Sequence, residues 1–156
     1  MKLWAALYAA IWVVLLEILL GLWPNPPAVV PYLHLILGLI IIWITYSNRA
    51  GVVATRVPGR VKRIVGVTFA FSIVMAFLGL LLWFDVGSSV HLLGISLFQG
   101  ILVLHVVFAM AIITQMAAAA IAYDMWEDHE FEKETAPGEV PPSAASTAPV
   151  MRLGRT

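Results

Sequence analysis

Four runs of apolar residues, each close to 20 positions long, are separated by short polar or helix-breaking stretches. They cover about residues 3–22, 28–46, 64–84 and 100–123. A bilayer span needs about 20 predominantly apolar residues. The pattern therefore predicts an all-α integral membrane protein, a four-transmembrane-helix up-and-down bundle occupying residues 1–123. The first run follows Lys2 and has the outline of a signal peptide, but it is longer than an h-region and no small-residue cleavage site follows it. It ends at Trp23-Pro24-Asn25-Pro26-Pro27, an interfacial aromatic followed by helix breakers.

The third run holds Gly66, Ala70, Ala76 and Gly79, small residues that suit close helix packing, and Asp85 stops it. The chain is then apolar from Val86 to Tyr123. As one helix that stretch would measure about 57 Å, against a hydrocarbon core of about 30 Å. Gly87, Gly94, Ser96, Gln99 and Gly100 loosen its first part, so we divide it into an outer interfacial segment, 86–99, and a fourth span, 100–123. The outer segment either lies flat at the interface or dips in and returns; a long protruding helix is the alternative. Residues 124–134 form an acidic, helical cytoplasmic extension, and 135–156 a flexible tail rich in Pro, Ala and Ser, too poor in apolar residues to pack a core. His129 lies among the acids of the extension, where a solvated charged face is the simplest reading.

Composition sharpens the membrane assignment. The 156 residues are 62% hydrophobic and 12% charged, where a soluble domain carries about 25% charged residues. No cysteine is present. That excludes thiolate metal sites, iron–sulfur clusters and covalent heme attachment. Arg49, Arg56, Arg60, Lys62 and Arg63 supply five of the nine basic residues and fall in one acid-free connection. The positive-inside rule puts that connection in the cytoplasm. The expected location is the cell membrane, multi-pass, with both termini cytoplasmic. The bilayer and other subunits of a membrane respiratory complex, or further copies of this chain, are the expected partners, and nucleic acid is not.

Two histidines occupy matching places. His34, in Pro31-Tyr-Leu-His34-Leu-Ile-Leu-Gly38, and His105, in Gly100-Ile-Leu-Val-Leu-His105-Val-Val-Phe-Ala109, each lie early in a span that begins on the outer side. From the expected helix starts their depths are about 9 and 8 Å. Spans two and four of an up-and-down bundle are diagonal, with axes about 11–14 Å apart. That gap suits two imidazoles with an iron between them. Gly38 and Ala109 follow one turn later on the same faces and leave room for a flat macrocycle. Either histidine alone reads as a neutral core residue donating to a carbonyl; two at one level favour heme. A bare metal is disfavoured, because no cysteine or nearby acid completes a ligand set. His91 is a third candidate, placed to meet a heme propionate or a quinone head group, to ligate a second iron, or simply to face water. Glu17, a carboxylate deep in the first span, is a functional residue or a protonated, hydrogen-bonded one. Gln99 and Gln115 are available for hydrogen bonds within the bundle.

Tyr32-Leu-His34-Leu-Ile-Leu-Gly38-Leu and Leu102-Val-Leu-His105-Val-Val-Phe-Ala109 resemble the histidine-bearing stretches of heme A synthases. Those proteins are built from four-helix units with a histidine near the outer start of the second and fourth helices. The resemblance implies axial heme ligation by His34 and His105. It does not extend to catalysis: a glutamate normally stands three residues before the second-helix histidine, and here Pro31 does; arginine usually follows that histidine, and here Leu35 does; the extramembrane cysteine pair is absent.

The expectation is a b-type cytochrome subunit of a respiratory or quinone-linked complex, with His34 and His105 on the iron of heme b and His91, Gly38 and Ala109 around it. Two imidazoles fill both axial positions, so such a heme carries electrons. A heme-modifying enzyme of the heme A synthase type and a cofactor-free structural subunit remain open.

Overall fold

The computed structural model describes residues 3–135. Four helices, α1 (Leu3–Gly21), α2 (Val30–Val53), α3 (Gly59–Trp83) and α4 (Leu97–Thr135), account for most of them, with strands β1 (His91–Leu92) and β2 (Ile95–Ser96) between α3 and α4. Three helical stretches, Val30–Val53, Gly59–Trp83 and Leu97–Phe131, are long and apolar enough to cross a membrane; Ala5–Gly21 is apolar but shorter. Each helix packs on two others, α1 on α2 and α4, α3 on α2 and α4.

The burial pattern is that of a protein solvated by hydrocarbon. Trp12, Trp43 and Phe77 are each at least 60% exposed, while Glu17, Thr45, Asn48, Thr68 and Ser72 are buried. Inside, two apolar clusters are stacked, one around Val14, Ile41, Met75 and Ile112, the other around Leu7, Val52, Val61 and Ala119. Short hydroxyl side chains bond back to their own helices, as with Thr68 Oγ1 to the Ile64 carbonyl at 2.9 Å, and Thr45 meets Ser72 across α2 and α3 at 3.0 Å. The Asn48 amide has no hydrogen-bond partner among the described residues.

Helix ends follow local chemistry and differ in places from those expected. Asn25 takes a left-handed conformation (φ 49°) inside the Pro-rich connection that ends α1. Pro31 stands in the first turn of α2, where its missing N–H costs nothing. That helix continues to Val53, past the span end expected near residue 46, and Asn48 beyond that point is buried. Only the residues around Thr55 to Pro58 then connect it to α3.

The expected outer segment, 86–99, is a turn and a hairpin. Gly87 (φ 84°) is required twice over: a Cβ there would lie 2.8 Å from Leu97. His91 pairs with Ser96 and Leu92 with Ile95, around Leu93 and Gly94, both at positive φ as a tight hairpin turn demands. Helix α4 starts at Leu97, not Gly100. Ser96 Oγ accepts from the Gln99 N–H at 3.1 Å and Gln99 Oε1 accepts from the Ser96 N–H at 3.0 Å, a reciprocal capping box. The 39 residues of α4 make a rod of about 58 Å that carries the acidic extension beyond any bilayer. Tyr8 Oη donates to Asp124 Oδ2 at 2.8 Å and ties this rod to α1. Past Thr135, the expected tail lies outside the described residues.

Candidate functional site

Near the ends of α1 and α3, and near the starts of α2 and α4, three polar side chains, one backbone carbonyl and three glycines converge. Glu17 lies one turn before the end of α1, on the same face as Gly21. Its carboxylate is 4% exposed. Oε2 contacts Nδ1 of His34, which enters from α2. Gly21 makes that approach feasible: a Cβ there would stand 3.2 Å from His34 Cε1. Gly38 makes room for the acid, since its Cβ would meet Glu17 Oε1 at 3.2 Å.

The second half of the site repeats the device with a different partner. His105, from α4, places Nδ1 3.1 Å from the backbone carbonyl of Met75 on α3. A helical carbonyl already accepts from the N–H four residues on, and the side chain at that later position normally covers its outer side. Here the later position is Gly79, and a Cβ there would lie 3.2 Å from His105 Cε1. The carbonyl is therefore bare toward α4, and the imidazole settles over it.

The two imidazoles then face one another, with ring centres 6.1 Å apart and planes at 55°. Both Nδ1 atoms are engaged, one by a carboxylate and one by a carbonyl, which leaves Nε2 as the second polar atom of each ring. A nitrogen whose ring partner is held in this way is oriented for metal binding. Two imidazoles alone cannot hold a bare ion, and no group of three or more His, Cys, Asp or Glu side chains suited to one exists among the described residues. Tyr32 and Trp83, in edge contact at 5.5 Å, stand two positions before His34 and at the end of α3.

Other expected members lie elsewhere. His91 is exposed on the hairpin, its Nδ1 3.4 Å from the Ser89 carbonyl. Ala109 is 8% exposed and belongs to the apolar cluster around Val14 and Ile112, so the room expected there is filled by core packing. Gly38 gives its space to Glu17, not to the gap between the histidines. Gln99 caps α4. The sequence reading missed the ring cradles: Gly21 drew no notice, and Gly79 was assigned to helix packing alone. The available signal was a glycine one turn after a buried acid and another one turn before the end of span three. Compared with known proteins, the chain matches no protein-family model, no curated protein and no solved structure.

Proposed function

We propose that this chain is a four-transmembrane-helix up-and-down bundle of the cell membrane, both termini cytoplasmic, that carries electrons through a heme b bound by His34 and His105 as a subunit of a respiratory or quinone-linked complex. The observation that carries the reading is the imidazole pair. Metal–imidazole bonds run about 2 Å, so an iron between two Nε2 atoms would hold the ring centres about 6 Å apart; they are 6.1 Å apart. The two Nδ1 partners are of the kinds that orient metal-bound histidine. Gly21 and Gly79 supply the close approach such a seat requires.

A heme bound here would supply one-electron transfer. The chain's own residues do the rest. Glu17 holds His34 at Nδ1, across the imidazole ring from the nitrogen that would meet the iron. The Met75 carbonyl holds His105. Apolar residues below the pair, Val14 and Ile112 among them, exclude water. The five basic residues flanking the connection near Pro58 favour cytoplasmic placement of the opposite end.

One observation favours the heme A synthase-like alternative. Pro31 stands where that family has its acid, and the acid that reaches His34 in this chain is Glu17, from the neighbouring helix. Substitution of Glu17 by Gln separates the two readings. An electron carrier keeps its heme unmodified in both proteins; a heme-modifying enzyme yields an oxidised heme product that the variant fails to make. Heme content by the pyridine hemochromogen method tests both against a cofactor-free structural subunit, which would contain none.

A further inference from the structure

At the end of the molecule remote from the histidine pair, an open groove of about 400 Å3 runs between α3 and α4, lined by Arg60, Arg63, Ile64, Val67 and Gln115. Its members are graded by polarity. Its lining combines two guanidiniums and two aliphatic side chains of α3 with one amide from α4. Arg60 to Val67 covers about 10 Å of helix.

Three further facts point to an anion at the mouth. Pro58 is the N-cap of α3 and forms no side-chain cap. The Val61 and Lys62 N–H groups bond to the Pro58 carbonyl, which leaves those of Gly59 and Arg60 without intrahelical partners at the positive end of the helix dipole. Two neighbouring cations are engaged elsewhere: Lys62 Nζ donates to the Val53 carbonyl at 3.2 Å, and the Arg49 guanidinium lies 5.5 Å over the Phe69 ring. Arg60 and Arg63 are exposed and turned to the groove.

We infer that this groove binds one anionic phospholipid. The phosphate sits between Arg60, Arg63 and the α3 N-terminus, the ester region meets Gln115, and an acyl chain lies along Ile64 and Val67. A guanidinium pair matches a phosphodiester, and basic pockets between spans on the cytoplasmic side suit such head groups. The site is independent of the heme reading, since it shares no residue with the histidine pair.

The test is native mass spectrometry of the full chain released from micelles containing equal amounts of phosphatidylglycerol and phosphatidylcholine. The expected result is one retained phosphatidylglycerol per chain, in at least fivefold preference over phosphatidylcholine. The double variant Arg60→Gln/Arg63→Gln should lose that preference, while Arg56→Gln/Lys62→Gln, which removes the same charge, should keep it within twofold. A 100-fold excess of inorganic phosphate should leave the lipid in place, because phosphate lacks the chain that fills the apolar part. Equal retention of the two lipids, equal loss in the two double variants, or displacement by phosphate would each overturn the inference; the last would mean a bare anion site.

Discussion

The α1–α2 half and the α3–α4 half of this molecule solve one problem with different materials. Each presents a histidine from its second helix to its first, and each clears the way with a glycine, Gly21 or Gly79. In one half the imidazole is held by a side chain, Glu17; in the other by the main chain, the Met75 carbonyl. A carbonyl is neutral and cannot be deleted by changing the side chain that carries it. A carboxylate brings charge into a low-dielectric interior, where it is felt strongly, and it is one substitution from removal. The two imidazole seats are thus matched in shape and unequal in electrostatics. The tunable half is the first.

The largest effect should come from filling the cradles. Gly21→Leu and Gly79→Leu each drive a side chain into an imidazole whose Cε1 would lie 3.2 Å from the new Cβ. Heme retained on purification should fall at least tenfold in both, and the Gly→Ala versions should fall less, because a few tenths of an ångström of movement relieves the contact. A loss confined to one half would break the symmetry argued above.

Next in size is the electrostatic contrast. Glu17→Gln keeps the shape and removes the charge, which favours the reduced state of a bound heme. A redox titration should show the midpoint potential rise by about 60 mV, a tenfold change in a one-electron equilibrium. Met75→Leu should leave it unchanged, since His105 is held by the backbone at that position. Equal shifts in the two variants would show that Met75 acts through its side chain.

The smallest effect concerns the start of α4. Ser96→Ala removes half of the capping box and should cost about 1 kcal/mol of stability in chemical unfolding. Hydrogen exchange should quicken in the first turns of α4 and leave α2 as it was. Faster exchange in both helices would mean that the two halves do not loosen separately.

These two halves also divide what the sequence could reveal. Apolar runs of about span length were enough to locate four helices, because hydrocarbon solvation leaves so strong a pattern. Their ends were harder. Ser47-Asn48-Arg49 looks like a stop, yet Asn48 is buried and α2 runs on to Val53. Gln99-Gly100 looks like a loosened start, yet Ser96 and Gln99 form a capping box whose spacing was there to be read. The starts of α2 and α4 therefore moved in opposite directions, to Val30 and Leu97. Depth counted from the expected starts was not what brought the histidines level; the rings meet because the first turns of α4 rise above the start of α2. The contacts that hold the two imidazoles were less legible still. Nothing along the chain says that Glu17 meets His34 or that Gly79 bares a carbonyl for His105, since both depend on which helix faces which. Ala109, one turn past His105, packs in the apolar core, a neighbourhood that equally depends on which helix faces which.

The most direct measurement is the reduced-minus-oxidised optical spectrum of the full chain purified from heme-replete cells, with His34→Ala and His105→Ala beside it. The account predicts a low-spin b-type spectrum in the parent protein that is lost in both variants. A colourless parent protein, or a low-spin spectrum that survives either substitution, would contradict it.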